Sequence, residues 1–167
     1  MTCESEGLRP MLFLSIRPQF AKAILCGNKT AEIRRIGPNA RRGDYVLLYA
    51  SSPVKAIVGM FCIEEILCYA VETLWEKVGD RAGIDEATFK SYLNGRREGV
   101  AIMISNCVEL GTPIPLDEIK RIWPTFRPPE SYRYLPPSND HANDLLDSVG
   151  GLLRQALFEG QERLPAF

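Results

Sequence analysis

Short apolar stretches separated by turn residues run through most of the chain and predict a series of strands. The run at 11–16 predicts a first strand, and Pro18 then begins a helix, because proline suits the first helical position. Gly27 supplies the C-terminal stop of that helix. Continuous or alternating apolar patterns predict further strands at residues 29–35, 45–50, 56–66, 99–110 and 131–135.

Helix-like spacing of apolar residues marks the other stretches. Residues 71–78 and 85–93 predict two helices, with Asp85 as the N-cap of the second. The proline-rich connection at 113–129 is expected to hold one helical turn at 116–121. Beyond Pro137, one face of a predicted C-terminal helix carries the apolar residues Leu145, Leu146, Val149, Leu152, Leu153, Ala156 and Leu157.

This order of elements favours an α+β fold. Closely spaced strands with one early and two middle helices predict a small mixed β-barrel with flanking helices and a C-terminal helix. A parallel α/β sheet would need more regular alternation of helix and strand. Gly59 is expected at a bulge or at a bend of the barrel. At 167 residues the chain fits one domain with a hydrophobic core.

Polar residues that can carry chemistry concentrate in the segment after the first helix. Side chains alternate across a strand, so Ala31 and Ile33 mark a buried face. Glu32 and Arg34 then project together from the opposite face, with Lys29 at the turn. Such a row can bind a polar or anionic ligand, and it can equally be an ordinary solvated strand face.

Charge is unevenly distributed in a chain of ordinary globular composition. The chain is 46% hydrophobic and 25% charged, with a net charge of −1 and a pI near 5.9. These values argue against wrapping duplex DNA with one large basic surface. Residues 29–55, however, carry six positive side chains against two negative ones, and residues 139–167 carry five acids against two arginines. The first half of the chain therefore fits an anionic partner.

Several other kinds of site are not expected. His141, the single histidine, stands in a polar loop and no Cys-x-x-Cys occurs, so neither a metal, a cofactor nor histidine catalysis is predicted. The fragment at 27–30 lacks the contiguous Gly-Lys-Ser/Thr of a phosphate loop. Five cysteines without regular spacing are expected to be buried free thiols. Without a recognisable signal peptide or membrane span, the protein is expected to be cytoplasmic.

A set of segments carries a resemblance to a known family. They are Leu-Ser-Ile-Arg-Pro (14–18), a helix, Gly-Asn-Lys-Thr-Ala-Glu-Ile-Arg (27–34), Gly-Asp-Tyr-Val-Leu-Leu-Tyr-Ala (43–50), Ala-Ile-Val-Gly-Met-Phe (56–61) and Arg-Pro-Pro-Glu-Ser-Tyr (127–132). In these features the chain resembles an ASCH domain of the PUA-like superfamily, whose signature is Gly-x-Lys-x-x-Glu-x-Arg. The resemblance marks 11–135 as the domain and leaves 136–167 as a C-terminal helical extension.

The resemblance implies a β-barrel with a cleft beside the signature that takes RNA or a nucleotide-like ligand. Lys29 and Arg34 can bind phosphate, and Glu32 can orient them or accept hydrogen bonds from a base or a sugar. Tyrosines are available for stacking, worth about 1–3 kcal/mol per base. The candidate ligand-binding residues are Ser15, Arg17, Lys29, Glu32, Arg34, Arg35, Tyr49, Arg127 and Tyr132.

Some of these candidates have structural alternatives. Tyr49 ends an apolar strand, where a tyrosine is more often part of the core. Arg127 and Tyr132 can equally pin the proline-rich connection to the rest of the domain. The C-terminal helix is most simply a packing helix, with a contact to a partner protein or to a second copy as the alternative.

Parts of the family imply catalysis. One bacterial branch that resembles this domain hydrolyses the acetyl amide of acetylated cytidine with the signature lysine, which Lys29 matches, and with a threonine that is replaced here by Glu32. For a ribonuclease, the activity proposed for other relatives, Lys29 and Glu32 are the catalytic candidates. A lysine base needs a lowered pKa, whereas Glu32 is expected to raise the pKa of Lys29. Binding of RNA or a nucleotide, in a regulatory role, is therefore favoured over hydrolysis.

Overall fold

Six strands and five α-helices make up the part of the chain that the computed structural model describes, residues 10–161, with side chains up to residue 151. The strands are β1 (Met11–Ile16), β2 (Ala31–Arg34), β3 (Tyr45–Ala50), β4 (Ala56–Ala70), β5 (Glu98–Pro115) and β6 (Tyr132–Leu135). The helices are α1 (Pro18–Leu25), α2 (Val71–Val78), α3 (Glu86–Tyr92), α4 (Leu116–Ile122) and α5 (Asp140–Gln161), and a 3-10 turn (Gly79–Arg81) follows α2.

All six strands form a single sheet in the order β2-β5-β4-β3-β1-β6. Strands β1 and β3 run parallel, and every other neighbouring pair is antiparallel. The mixed α+β class is confirmed, but the predicted barrel is wrong: β2 and β6 are opposite edges, and within residues 10–161 no ladder joins them. Each edge strand has four residues and pairs on one side only, whereas β4 and β5 pair over most of their length.

Apolar side chains cover both faces of the sheet. Phe13 belongs to a cluster that joins the sheet to α4 and α5, and its neighbours Leu12 and Leu14 belong to a second cluster under α1. A third cluster packs α2 and α3 against β2 and β5 through residues such as Leu74 and Phe89. Helices α1 and α3 therefore stand on either side of the edge strand that carries the polar signature.

The sheet register shifts at Gly59, where the sequence predicts a bulge. The shift falls between Ile57 and Gly59 in the pairing of β4 with β5. A β-carbon at position 59 would lie 2.5 Å from the carbonyl oxygen of Val108 and 2.8 Å from Cδ2 of Leu25. Glycine is therefore required for β5 and α1 to approach β4 this closely.

The first half of α5 packs into the core. Ala142, Leu145 and Val149 are buried in the cluster that contains Phe13. The rest of the predicted apolar stripe, from residue 152 onward, lies outside the side chains that are described, so the division into 11–135 and 136–167 stays a prediction. No helix in residues 10–161 combines the length and the apolar character needed to cross a membrane.

Cysteines in the described part of the chain are free thiols. The expectation that they are buried is wrong for Cys26, Cys68 and Cys107, which are exposed. Cys26 follows the last residue of α1, and the other two lie in the strands β4 and β5.

Candidate functional site

The turn between α1 and β2 fixes the position of Lys29. Gly27 adopts a left-handed conformation with φ of 78°, and the backbone amide of Lys29 then donates to the carbonyl of Ala23 at 3.0 Å. The ammonium group donates to the carbonyl of Ala82, which approaches from the segment after α2. A β-carbon on Gly83, the residue after Ala82, would lie 3.0 Å from Cβ of Lys29. Glycine at position 83 thus leaves room for the lysine stem.

Strand alternation brings the three charged groups of the signature together. Ala31 and Ile33 pack into the cluster under α2 and α3, so Glu32 and Arg34 point to the other face of β2. One carboxylate oxygen of Glu32 lies 3.3 Å from Nζ of Lys29, and the other lies 3.0 Å from a terminal nitrogen of Arg34. The carboxylate therefore bridges two cations.

This cluster is buried. Lys29, Glu32 and Arg34 are 2%, 6% and 7% exposed, so the interpretation as a solvated strand face is wrong. Burial lowers the pKa of Lys29 below its usual value, and this effect exceeds the opposing effect of Glu32, which raises it. The expectation that Glu32 dominates the pKa of Lys29 is therefore also wrong, because the amine loses more hydration than one carboxylate replaces.

Arg34 also links both ends of the open sheet. One terminal nitrogen of its guanidinium group donates to the carbonyl of Ser15 in β1 at 3.0 Å, and the other donates to the hydroxyl of Ser131 at 3.0 Å. The amide of Ser15 in turn donates to the carbonyl of Ser131 at 2.9 Å. One side chain of β2 thus reaches both β1 and the residue before the other edge strand, β6, where the sheet has no ladder.

Two buried atoms of this cluster have no hydrogen-bond partner within the described residues. They are the hydroxyl oxygen of Ser15 and Nε of Arg34, on side chains that are both 7% exposed. Buried polar atoms in folded proteins are paired in the large majority of cases. A ligand or solvent that enters the site would find an available donor and an available hydroxyl.

These side chains line a cleft of about 820 Å³ between β2, α1 and α3. Three cations and two carboxylates contribute to its wall, which leaves one net positive charge. The lining residues are Ser15, Ile16, Arg17, Phe20, Lys29, Glu32, Ile33, Arg34, Ser51, Ile84, Ala87, Thr88, Ser91, Tyr92 and Glu130. A volume of this size is typical of sites for small molecules.

Two aromatic rings border the polar cluster. The ammonium group of Lys29 lies 5.4 Å from the ring centre of Phe20, within the range of a cation–π contact. Tyr92, at the end of α3, lies on the other side of the cleft. The guanidinium carbon of Arg35 lies 4.7 Å from the ring centre of Tyr92. Both rings are half-buried, and each contributes to the lining of the cleft.

Comparison with known proteins identifies the family. The sequence model of the ASCH domain matches residues 14–110, more than half of the chain. The chain belongs to the ASCH domain family. The matched stretch contains the second half of β1, all of β2 to β4, most of β5 and the whole of the Lys29–Glu32–Arg34 cluster. The PUA-like assignment made from the signature is confirmed.

Relatives of this ASCH domain include a protein of Zymomonas mobilis that bears the name ASCH domain-containing ribonuclease. It is 35% identical over 122 residues, which cover 73% of this chain and 82% of that protein. The crystal structure of ASCH from Zymomonas mobilis has a TM-score of 0.76 at 32% identity, covering 83% of this chain and 94% of that one. A tyrosine-to-phenylalanine variant of that protein gives a TM-score of 0.77 at 31% identity, with coverage of 84% and 99%.

The cleft of this ASCH domain contains five of the residues predicted to bind ligand. Ser15, Arg17, Lys29, Glu32 and Arg34 all contribute to its lining. Arg17 is exposed at the start of α1, whereas the other four are buried. These five residues come from two segments that the sequence separates by one helix, and the turn at Gly27 brings them together.

The structure places the other four predicted residues elsewhere. Tyr49 is 2% exposed and neighbours Ser15 in the β1–β3 ladder, but its ring packs on Phe13 with 5.3 Å between ring centres. Tyr132 donates from its hydroxyl to the carbonyl of Gly37 at 3.2 Å and so pins the loop after β2. Arg127 is exposed and Arg35 points away from the cleft, its Nε donating to the carbonyl of Tyr92 at 2.7 Å.

Sequence reasoning missed several groups that complete the site. Ser131 and Glu130 lie within the Arg-Pro-Pro-Glu-Ser-Tyr segment, where the larger Arg127 and Tyr132 were chosen instead. The small hydroxyl of Ser131 is the group that reaches Arg34. The carbonyl of Ala82 and the residues of α3 left no comparable signal, because only the fold brings them to the signature.

Proposed function

We propose that this ASCH domain binds RNA, or a nucleotide-like part of it, in the cleft beside β2. The observation that carries the proposal is the buried cluster of Lys29, Glu32 and Arg34. Beside it, the hydroxyl of Ser15 and Nε of Arg34 have no partner among the described residues. A ligand with both donors and acceptors, such as a base or a ribose, fits these atoms. Their burial at the wall of a cleft supports recognition rather than a solvated surface.

The other features of the cleft favour an unpaired nucleotide. Phe20 and Tyr92 bring aromatic rings to the wall of the cleft, and bases stack on aromatic side chains when they are not paired in a duplex. The single net positive charge of the wall suits one phosphate rather than a long anionic surface. The Zymomonas mobilis relative that is named as a ribonuclease supports RNA as the ligand class.

Binding to short labelled RNAs tests this function. Arg34→Met and Arg17→Ala are expected to weaken binding by about tenfold each, because a hydrogen bond to a charged group is worth about 1.5–3 kcal/mol. Arg121→Ala, which removes an exposed cation from α4, is the matched control and is expected to bind normally. Fluorescence anisotropy measures the affinities. If the wild-type protein binds neither RNA, nor a mononucleotide, nor a modified nucleoside, the proposed function is refuted.

Cleavage of RNA is a second candidate function. The relative that is named as a ribonuclease favours it, together with the burial of Lys29, which lowers the pKa of its amine. A neutral lysine amine can accept the proton of a ribose 2′-hydroxyl, whose oxygen then attacks the adjacent phosphorus. The phosphorus–oxygen bond to the next nucleotide breaks, and the leaving 5′ oxygen takes the proton back from the Lys29 ammonium group. Arg34 can hold the phosphate oxygens meanwhile. The products would be a cyclic phosphate and a free 5′-hydroxyl.

A labelled RNA with one 2′-deoxy nucleotide separates binding from cleavage. If Lys29 acts in cleavage, the wild-type protein cuts an all-ribose strand at the test position but does not cut the substituted strand there. Lys29→Met then cuts neither strand while still folding. Intact RNA in every reaction would leave binding as the function and would fit the regulatory role expected from the sequence. Acetylated cytidine, incubated in parallel, tests hydrolysis of its amide.

A further inference from the structure

A second cavity lies next to the cleft, on the far side of Tyr92. Its volume is about 430 Å³. Three arginines dominate its wall, and we call it the arginine groove. Its lining residues are Arg35, Cys68, Arg96, Arg97, Glu98 and Val100.

The charges of the arginine groove differ from those of the cleft. In the cleft, Lys29 and Arg34 are both in contact with Glu32. The groove has three guanidinium groups and a single carboxylate, that of Glu98, which contacts the thiol of Cys68 at 3.7 Å. All three arginines are exposed. The groove therefore offers a net positive surface on which guanidinium groups can form bidentate contacts with phosphate.

Main-chain contacts hold two of these arginines in place. Nε of Arg35 donates to the carbonyl of Tyr92 at 2.7 Å, and its guanidinium lies over the ring of the same residue. A terminal nitrogen of Arg96 donates to the carbonyl of Arg35 at 2.9 Å. The side chain of Arg97 forms no hydrogen bond within the described residues. Fixed cations lose less side-chain entropy when they bind an anion.

Tyr92 places the groove beside the cleft. It contributes to the lining of the cleft, while Arg35 covers its ring and bonds to its carbonyl on the groove side. Arg34 lines the cleft, whereas Arg35, the next residue along the chain, points away from the cleft and lines the groove. A nucleic-acid strand that leaves the cleft would pass Tyr92 at the edge of the sheet to reach the groove.

We propose that the arginine groove binds the backbone phosphates that flank a nucleotide held in the cleft. The protein then recognises an RNA strand in preference to a mononucleotide, with the base and sugar in the cleft and the adjoining phosphates on Arg35, Arg96 and Arg97. This inference rests on the function proposed above. It adds a second site, lined by residues that take no part in the cleft, and a substrate class, single-stranded oligonucleotides.

Comparing two probes tests the inference. The probes are uridine monophosphate and a labelled single-stranded RNA of about ten nucleotides, within the usual site sizes for single strands. The double variant R96A/R97A is expected to bind the RNA about tenfold more weakly. The slope of log affinity against log salt should fall by about 0.7 for each phosphate that the variant no longer neutralises. Affinity for uridine monophosphate should stay unchanged. K120A/R121A, which removes two exposed cations from α4, is the matched control.

The possible results distinguish a failure of the arginine groove from a failure of the proposed function. If the double variant keeps the wild-type RNA affinity and salt slope, the arginine groove binds no phosphate and the inference is overturned. It is also overturned if a poly-glutamate peptide of equal charge displaces the RNA as well as unlabelled RNA does, because the surface then serves acidic proteins. If the wild-type protein binds neither probe, the proposed function itself fails. Should circular dichroism show R96A/R97A to be unfolded, Arg97→Glu replaces it, with a stronger loss expected.

Discussion

Glu32 is the residue on which the cleft depends most directly. Each of its carboxylate oxygens faces a different cation, and all three side chains are buried. Buried charges are costly unless they are paired. The carboxylate therefore keeps two positive groups inside the fold and holds them at one wall of the cleft.

Glu32→Gln is expected to lower the free energy of unfolding by about 3 kcal/mol, because breaking a buried ion pair leaves uncompensated charge in the interior. Urea unfolding measures the loss. Glu86→Gln is the control, since Glu86 pairs with Lys90 on the exposed face of α3 with a nitrogen–oxygen distance of 2.8 Å. The unfolding midpoint of this control variant should hardly change. Equal effects of the two substitutions would contradict the burial of the cluster.

The pKa of Lys29 predicts a pH dependence of stability. Burial lowers this pKa below its usual 10.5, so between the lowered value and 10.5 the unfolded chain binds more protons than the native protein. Stability contributed by this residue therefore rises with pH across that window. The measurement is the free energy of unfolding of the wild type minus that of Lys29→Met, followed as the pH approaches 10.5. A difference that falls with pH would show that the pKa of Lys29 is raised.

At the scale of elements, the bulge at Gly59 sets how closely three elements pack. The strand β4 runs between β3 and β5 in the middle of the sheet, and α1 lies over it at this point. Because α1 leads into the turn that holds Lys29, the packing of α1 on the sheet also positions the cleft.

Gly59→Ala is expected to destabilise the protein by about 2 kcal/mol, because the new β-carbon would lie 2.5 Å from the carbonyl oxygen of Val108 and the backbone must shift. Thermal or urea unfolding measures it. Gly111→Ala offers a control in the neighbouring strand β5, since a β-carbon there meets nothing within 4 Å. If both variants lose the same stability, the close approach at Gly59 is not the cause.

Most elements could be predicted because their signals are local. Pro18 and Gly27 mark the ends of α1, and Asp85 caps α3 by accepting from the amide of Thr88 at 2.7 Å. The sequence underestimates the lengths of β4 and β5, because residues 67–70 and 114–115 belong to these strands through their pairing. Residues 67–70 pair with β5, and residues 114–115 pair with β4. Neither segment alone indicates which strand it pairs with.

The candidate site was predictable in part for the same reason. Alternation along β2 correctly groups Glu32 with Arg34, because that pattern is local. The depth of burial of Lys29 depends on Ala82, which is 53 positions away in the sequence. Burial, and not the neighbouring carboxylate, decides the direction of its pKa shift. Tyr49 agrees with its local pattern, since it ends an apolar strand and its ring packs in the core, which is the structural alternative that the sequence offers.

At the scale of the whole molecule, the sheet stays open and the cleft lies near its unclosed ends. The edge strand β2 meets β1 through the side chain of Arg34 rather than through a ladder. A ligand in the cleft would therefore touch elements from both ends of the sheet, including α3, β1 and the segment before β6.

Bound RNA is consequently expected to stabilise the entire fold. At a concentration about 100 times the dissociation constant, a ligand that binds only the native state adds about 2.7 kcal/mol to the free energy of unfolding. Differential scanning fluorimetry with and without RNA measures this as a rise in the melting temperature. Arg34→Met should lose most of the shift. RNA that binds without raising the melting temperature would place its contacts outside the cooperative fold.

The hydrogen bond from Arg34 to Ser131 also sets an order in time. These residues are 97 positions apart, and a ribosome, which adds about 5–20 residues per second, releases the first well before the second. The stretch that matches the family ends at residue 110, before Glu130, Ser131 and β6. A nascent chain is therefore expected to carry Lys29 and Glu32 early but to gain RNA affinity only when β6 has emerged from the ribosome. Incomplete chains would then not compete with the finished protein for RNA.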